Sequence, residues 1–239
     1  MQRCCSIIEL RQYTLHQGMR DTLIELFDRE FVESQESLGM RIIGQFRDLD
    51  DPNRFVWLRG FDSMATRGKA LAAFYGGPVW QTHRDAANAT MIDSDNVLLL
   101  RPGGADGDFD LAGRDRERSA KSHLITANIQ YIASDAGPDF IEFFEAEMRP
   151  RMEAAGTQIL ATLVTDSSPN NFPALPLRDR EHVLVWFERH DGETGYLDYL
   201  TRLRRTTDWR EVAPFALLPQ FMRKAEVLRL MPSARSLLR

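Results

Sequence analysis

Three polar side chains alternate along a short segment near the start of the chain: Glu9, Arg11 and Tyr13. Successive side chains of a β-strand point to opposite faces, so these three share one face while Ile8 and Leu10 share the other. Glu9 and Arg11 are close enough there to form an ion pair, and Tyr13 can donate a hydrogen bond. Such a face suits the orientation of a ligand in an otherwise apolar pocket. It equally suits a structural ion pair that closes a sheet face, because buried charges need partners.

Two tryptophans and one histidine extend this candidate site. Trp57 lies in a β-type run and Trp80 on a predicted helix, where an indole serves either as core packing or as a ligand platform. His83 follows Trp80 by about one helical turn. It is the histidine best placed to transfer a proton or bind haem, although most lone histidines do neither. We predict that the catalytic residues are Tyr13 and His83 and that the ligand-binding residues are Glu9, Arg11, Trp57 and Trp80.

Other reaction chemistries have no supporting pattern. The sequence has no H-x-H, H-E-x-x-H or C-x-x-C pattern, so we predict no metal site. It has no G-x-S-x-G elbow, dinucleotide fingerprint or P-loop, which argues against nucleotide-dependent chemistry. One acidic run has the spacing of an EF-hand loop, but Leu111 stands where the sharp turn needs glycine. We therefore predict a solvated linker and no cofactor; the run comprises Asp106, Asp108, Asp110 and Glu117.

The composition restricts the partners and the compartment. The chain has 239 residues, a net charge of −5 and a pI of about 5.6, so it lacks the basic footprint of a nucleic-acid-binding protein. No apolar run approaches the roughly 18 residues of a membrane span, and the start has no signal-peptide core. Cys4 and Cys5 are adjacent and build no disulfide framework, which fits a reducing compartment. We expect a cytoplasmic protein whose partner is a small molecule, with no nucleic acid and no membrane span.

The tryptophans repeat at one spacing. Trp57 and Trp80 are 23 residues apart (80 − 57), and so are Trp186 and Trp209 (209 − 186), which are the other two of the four tryptophans. Self-similarity at a fixed offset indicates two copies of one unit. We predict two diverged copies in tandem.

Weaker landmarks complete this alignment. Tyr13 is matched with Tyr131 at an offset of 118 (131 − 13), so that Ala127 and Ile129 stand where the first copy has its charged pair. The offset between the copies then grows by about a dozen, which a loop rich in proline and asparagine at 167–178 accounts for. The Glu–Arg pair is thus expected in the first copy alone.

Each copy has the pattern of the element order β-α-β-β-α-β. In the first we predict strands at 6–14, 40–48, 54–61 and 96–101, with helices at 19–39 and, broken near 76–78, at 63–91. In the second we predict strands at 123–132, 158–165, 182–188 and 225–230, with helices around 140–152 and 194–218. Pro150 removes a backbone donor and should bend or interrupt its helix.

A four-stranded antiparallel sheet with both helices on one face needs cover on the other face. Two copies supply it if their sheets pack together, so we predict an α+β fold of two ferredoxin-like halves. The expected boundaries are 1–102 for the first half, 103–121 for a linker and 122–239 for the second half. The apolar face of the first strand should meet the helices, and the polar face should look into the cavity between the sheets. Homo-oligomer formation is then optional, because the chain supplies its own sheet partner.

The segment from Glu9 to Leu15, followed by Gly18, resembles the E-L-R-x-Y opening of NIPSNAP domains. Asn53-Arg54 before the third strand, Trp57 within it and Trp80 on the last helix also fit, and the resemblance covers about residues 6–102. It implies the fold of the dimeric α+β barrel proteins, here formed within one chain. That group includes cofactor-free monooxygenases, haem enzymes and proteins of unknown role, so the resemblance fixes no activity.

Two functions are compatible with these patterns. The first is the binding or transformation of a small apolar or aromatic molecule, without metal or nucleotide, in a pocket between the sheet and the helices of the first copy. The alternative is a non-enzymatic interaction module that uses exposed apolar residues of the loop 171–177 as a scaffold surface.

Overall fold

The computed structural model of the protein describes residues 4–104, 107–116, 122–133, 137–206, 209 and 224–239. The first half contains β1 (Ile7–Leu15), α1 (Arg20–Leu26), a π-helical turn (Phe27–Phe31), α2 (Val32–Glu36), β2 (Arg41–Asp48), β3 (Arg54–Phe61), α3 (Met64–Tyr75), α4 (Pro78–Asn88) and β4 (Met91–Pro102). The second half contains β5 (Leu124–Tyr131), α5 (Gly137–Phe143), a π-helical turn (Phe144–Met148), α6 (Arg149–Ala154), β6 (Gln158–Thr165), β7 (Val183–His190), α7 (Gly192–Arg205) and β8 (Glu226–Pro232).

The eight strands close into one antiparallel barrel in the order β1-β3-β2-β8-β5-β7-β6-β4. Within each half the strands pair over most of their length, as β1 does with β3. The sheets of the two halves join where β2 pairs with β8 and where β4 pairs with β6, each through three residue pairs. Closure gives each of these eight strands a hydrogen-bonded neighbour on both sides. The predicted α+β barrel of two ferredoxin-like halves within one chain is confirmed.

Apolar side chains fill the barrel interior. The inward faces contribute Ile8, Leu10 and Leu58 from the first half and Ile125 and Phe187 from the second, all fully buried. An eight-stranded barrel is just wide enough for side chains to fill it. The space enclosed by the sheets is therefore a packed core.

The segment between the halves contributes to this core. Phe109 and Leu111 are both buried in the interior cluster, and the Phe109 ring meets the Phe187 ring edge-on at 5.1 Å between centroids. The prediction of a solvated linker is therefore wrong for this part of the segment, because two apolar side chains anchor it to the barrel. Asp106 and Glu117 of the acidic run lie outside the described residues.

The two halves share an unusual helix geometry. The first helical stretch of each contains a five-residue π-helical turn, Phe27–Phe31 and Phe144–Met148, with an offset of 117 (144 − 27). Gly39 and Gly156 follow at the same offset, both with positive φ, as a glycine at a helix C-terminus adopts. Pro150 is the second residue after the second turn. Because the first half has the same turn without a proline, the interruption belongs to the fold.

Strand pairing corrects the alignment of the first strands. Arg11 lies opposite Trp57, and Asn128 lies opposite Trp186, so the offset is 117 here as well. The match of Tyr13 with Tyr131 is therefore wrong by one residue. A slip of one residue in a strand moves a side chain to the other face. Tyr13 accordingly lies on the helix side of its sheet, and Tyr131 lies in the barrel interior.

Several predicted features fall on parts of the chain that are only partly described. Of the helical region predicted at 194–218, α7 ends at Arg205, and Trp209 packs against the helix-side core of the second half.

Within the described ranges, no helix is both long and apolar enough to cross a membrane. The same ranges contain no cluster of three His, Cys, Asp or Glu side chains able to hold a metal ion.

The packed interior predicts that two leucines contribute very differently to the free energy of unfolding. Leu58 is fully buried in the barrel, whereas Leu197 on α7 is 59% exposed. We expect Leu58→Ala to lower the free energy of unfolding by about 2–5 kcal/mol, because it leaves a cavity that the barrel cannot collapse to fill. Leu197→Ala should change it by less than about 0.5 kcal/mol. Urea denaturation of both variants measures this, and equal effects would contradict a tightly filled barrel.

Candidate functional site

The polar face of β1 is turned toward the helices of the first half. Glu9 bonds to Arg67 of α3, and Tyr13 belongs to the apolar cluster formed with the helices, which includes Phe27. The expectation that this face looks into a cavity between the sheets is wrong. The barrel closes around apolar side chains, which leaves the layer between sheet and helices for the polar groups.

Glu9 accepts hydrogen bonds from three buried arginines. Arg11 Nη1 donates to Glu9 Oε2 at 2.8 Å, and Arg59 Nε donates to the same oxygen at 2.8 Å. Arg67 Nε donates to Glu9 Oε1 at 2.7 Å. All four side chains are at most 1% exposed. We call these four residues the arginine cluster.

The cluster holds Glu9 ionised. Burial by itself raises the pKa of a carboxyl group, but the guanidiniums of Arg59, Arg11 and Arg67 outweigh burial and hold the pKa of Glu9 well below its usual range. Glu9 is the one carboxylate hydrogen-bonded to these arginines within the described part of the chain. The cluster therefore combines one negative and three positive charges.

Neutral amides take up part of the remaining donor capacity. Arg59 Nη1 donates to Gln35 Oε1 at 3.1 Å. Arg67 Nη1 donates to Asn170 Oδ1 at 3.2 Å and to Asn171 Oδ1 at 2.7 Å. Arg59 Nη2 and Arg67 Nη2 are buried without a hydrogen-bond partner among the described residues.

An aromatic cleft lies beside the cluster, between the sheet and the helices of the first half. Its outer cavity has a volume of about 360 Å³. The outer cavity is lined by Tyr13, Tyr75, Trp80, Asn88, Met91, Ser94, Phe172, Ala174 and Leu175. A smaller inner cavity of about 30 Å³ lies deeper, and it shares Tyr13, Tyr75, Trp80 and Met91 with the outer one. The inner lining adds Leu23, Phe27, Phe31, Gln35, Trp57, Phe74 and Ala87.

The π-helical turn supplies part of this inner lining. Phe27 and Phe31 lie at its two ends, and the Phe27 ring meets the Trp57 ring at 4.8 Å between centroids. Gln35 Nε2 donates to the Phe31 carbonyl oxygen at 2.8 Å, which fixes the amide that accepts from Arg59. Turns of this kind occur frequently at functional sites.

The inserted loop of the second half covers the cleft. Phe172 stacks on Tyr75 with 5.7 Å between ring centroids, while Asn170 and Asn171 accept from Arg67. A Cβ at Gly68 would lie 2.8 Å from Asn171 Nδ2, so glycine permits this close approach. The loop thus completes a cavity in the opposite half.

This packing covers part of the alternative interaction surface, the loop 171–177, whose residues Pro173, Ala174 and Pro176 stay exposed. Phe172, Leu175 and Leu177 were expected to be exposed apolar contacts for a partner. All three are partly buried and pack against the apolar cluster of the first half. Their apolar surface is therefore largely used within the chain.

The structure separates the six candidate residues into three groups. Glu9 and Arg11 belong to the buried cluster and not to the lining of either cavity. Tyr13 and Trp80 line both cavities, and Trp57 lines the inner one. His83 is outside both linings; its Nε2 lies 3.4 Å from Glu30 Oε2, and its ring packs edge-on against Phe31.

Arg59 and Arg67 were missed by the sequence reasoning. Arg59 alternates with Trp57 along β3 and points to the helix side, so the same period-two argument applied to that strand identifies it. Arg67 lies on α3, where a single arginine is ordinarily solvated. Only tertiary packing brings it to Glu9.

A second polar cluster lies at the corresponding place in the second half. Glu188 accepts from Trp186 Nε1 at 3.0 Å and from Thr126 Oγ1 at 3.0 Å. Its carboxylate also contacts His190 Nε2 at 3.0 Å and accepts from Tyr199 at 3.3 Å. Burial and the Glu188 carboxylate raise the pKa of Tyr199, so its hydroxyl stays protonated and donates. The alternation of Trp186, Glu188 and His190 along β7 is the sequence signal that would have revealed it.

The fold and the cleft define an α+β barrel protein with a covered aromatic site in one half. Residues 8–104 match the sequence model of the NIPSNAP family. The predicted NIPSNAP resemblance is therefore confirmed for the first half of the chain. No curated protein sequence matches this chain.

Solved structures with the same fold span nearly the whole chain. A candidate monooxygenase from Lactobacillus acidophilus is 13% identical, with 95% of this chain and 94% of that chain covered at a TM-score of 0.58. A candidate monooxygenase from Fusobacterium nucleatum is 8% identical, with 96% and 93% covered at 0.61. An anthrone oxidase-like protein is 9% identical, with 95% and 91% covered at 0.53. At these identities the likeness shows the fold alone.

The arginine cluster predicts a pH-dependent stability. We expect Glu9→Gln to destabilise the protein by about 3–5 kcal/mol at pH 7, because it leaves three buried guanidiniums without their carboxylate. The pKa of Glu9 is lower in the folded than in the unfolded chain. Its charge therefore contributes stability that is fully present above about pH 5 and decreases as the pH falls below about 4.

The measurement is urea denaturation of wild type and variant at several pH values. The gap between them should narrow on acidification. Glu25→Gln, at an exposed position of α1, is the matched control and should change stability by less than about 0.5 kcal/mol. A Glu9→Gln effect no larger than this control would contradict the role of the cluster.

Proposed function

We propose that the protein binds a small aromatic molecule in the cleft of the first half and acts on it without metal or nucleotide. The observation that carries this proposal is an aromatic cavity of about 360 Å³ with a phenol hydroxyl in its wall. Cavities of about 300–1,000 Å³ are typical of small-molecule sites. The flat side chains of Tyr75, Trp80 and Phe172 favour a planar ring over a branched chain.

Tyr13 is the residue that we propose contacts the ligand's polar group. Its oxygen accepts a hydrogen bond from Arg11 Nε at 3.0 Å. Its own proton has no acceptor among the described residues, so it is free to be donated to a ligand. Burial raises the pKa of Tyr13, and the Arg11 guanidinium only partly offsets this. The hydroxyl is therefore protonated at neutral pH and suited to act as a hydrogen-bond donor.

The names of proteins with the same fold point to oxidation of small molecules. The fold by itself fixes no reaction. Binding and hydrogen-bond donation to the ligand are what the contacts of Tyr13 support. His83 has no part in this proposal, because it lies outside both cavity linings among the described residues.

Phe172 should control access to the site and affinity for its ligand. Its ring forms one wall of the outer cavity and stacks on Tyr75. We expect Phe172→Ala to weaken the binding of a planar aromatic probe such as 2-methoxynaphthalene by about tenfold, because an aromatic contact is worth about 0.5–1.5 kcal/mol beyond its buried area. Isothermal titration calorimetry measures this.

The matched control is Phe143→Ala, the same change at a partly buried position in the second half. It should leave the affinity unchanged. Equal affinities for wild type and both variants would contradict a site in this cleft, and so would the absence of any binding. Mass spectrometry of the purified protein provides an independent search for a bound aromatic compound.

A further inference from the structure

We propose that the ligand of the cleft is an aromatic oxyanion, whose negatively charged oxygen lies toward Tyr13 and the arginine cluster. This inference rests on the proposed function and specifies the chemical class of the ligand. It follows from a charge imbalance in the first half and from the contacts that connect that imbalance to the inner cavity.

The charge imbalance lies among buried side chains of the first half. One carboxylate, Glu9, faces three guanidiniums, and all four side chains are at most 1% exposed. Gln35, Asn170 and Asn171 accept hydrogen bonds from these arginines but carry no charge. Two positive charges thus remain without a negative partner among the described residues. Buried charges of this kind favour a bound counter-charge.

Three residues of the inner lining touch the cluster directly. Tyr13 accepts from Arg11. Gln35 accepts from Arg59. The Trp57 ring centroid lies 5.1 Å from the Arg59 guanidinium carbon and 5.5 Å from that of Arg11. A negative charge in the cleft is therefore one side chain away from the excess positive charge.

Unused donors in the same layer point to a missing acceptor. Arg59 Nη2, Arg67 Nη2 and Trp57 Nε1 are buried without a hydrogen-bond partner in the described part of the chain. Buried donors are ordinarily satisfied, so several in one cluster need an explanation. The proton of Tyr13 is a further donor on the cavity side. A ligand oxygen that carries negative charge is the acceptor that Trp57 and Tyr13 lack, because both line the inner cavity. Arg59 and Arg67 lie behind that lining and act on the oxygen through their charge.

Two oxyanions satisfy this chemistry, a phenolate and an aromatic carboxylate. Matched probes on the full chain distinguish them: 2-naphthol with its methyl ether, and 2-naphthoate with 2-naphthamide. We expect the ionisable member of at least one pair to bind tenfold or more tightly than its neutral partner. The pair whose two members differ in affinity then shows whether the bound oxyanion is a phenolate or a carboxylate.

Titration of a bound phenol gives a direct reading of the electrostatic field. Among the described residues, the charged or titratable side chains of the cluster and of the two cavity linings are Glu9, Arg11 and Tyr13 on β1, Arg59 on β3, and Arg67 and Tyr75 on α3. His83 and Glu30 pair with each other just outside these linings. The net positive charge of the cluster should lower the pKa of bound 4-nitrophenol, whose ionised form is coloured, by about one unit or more. Absorbance as a function of pH, at saturating protein, measures the shift.

The outcomes separate this inference from the proposed function. If charged and neutral probes bind equally and the pKa of the bound phenol is unchanged or raised, the inference is overturned while the aromatic site stands. If no probe binds, charged or neutral, both are overturned. Discrimination within a probe pair, together with a lowered pKa, supports both.

A charge-removing variant tests the source of the field. Arg67→Gln should reduce the preference for the charged probe about threefold or more, because it removes one of the three guanidiniums. Arg84→Gln, the same change at a residue of α4 that is 55% exposed, should leave the preference unchanged. Equal preferences for both variants and wild type would overturn the assignment to the cluster. Because the probe pairs are also measured on wild type, a poorly folded Arg67→Gln leaves the test intact.

Discussion

A single buried carboxylate organises the first half of this protein. Glu9 on β1 binds arginines from its own strand, from β3 and from α3, so one side chain fixes the helix to the sheet. Through Arg67 the same network reaches the loop that covers the cleft. Taking such charges out of water costs several kcal/mol per ion, which only close contacts and further hydrogen bonds offset. The position of α3, the covering loop and the wall of the cleft all depend on this arrangement.

In the second half, the buried carboxylate between the sheet and the helices has different hydrogen-bond partners. This carboxylate, Glu188, lies on β7 and is surrounded mainly by uncharged donors, among them Trp186 and Tyr199. No arginine donates to it among the residues described. The positions that pair in register with Glu188 and Trp186 hold Thr126 and Asn128. The same fold thus tolerates two solutions, and among the described residues the first half combines excess positive charge with an aromatic cavity.

The sequence patterns predicted most of the elements, because periodicity and turn residues are local signals, whereas the barrel was an implication of the NIPSNAP resemblance. Alternation along β1 correctly grouped Glu9, Arg11 and Tyr13 on one face. It did not tell which layer that face meets, because the answer depends on closure of the barrel around apolar side chains. The contributions of Arg67 and of the covering loop to the site could not be predicted from the sequence for the same reason. Their contacts with Glu9 and Tyr75 join residues far apart in the chain, and no local pattern encodes them.

The covering loop also leaves the positive charge of the arginine cluster without a counter-charge. It approaches Arg67 with two asparagines, Asn170 and Asn171, which satisfy hydrogen bonds without neutralising charge. An aspartate at either place would offer the same oxygen geometry together with a negative charge. The cluster is thus closed by neutral groups from the second half while its excess charge is retained beside Trp57 and Tyr13. A protein that stores uncompensated positive charge behind an aromatic cavity is preorganised for a counter-charge that arrives with the ligand.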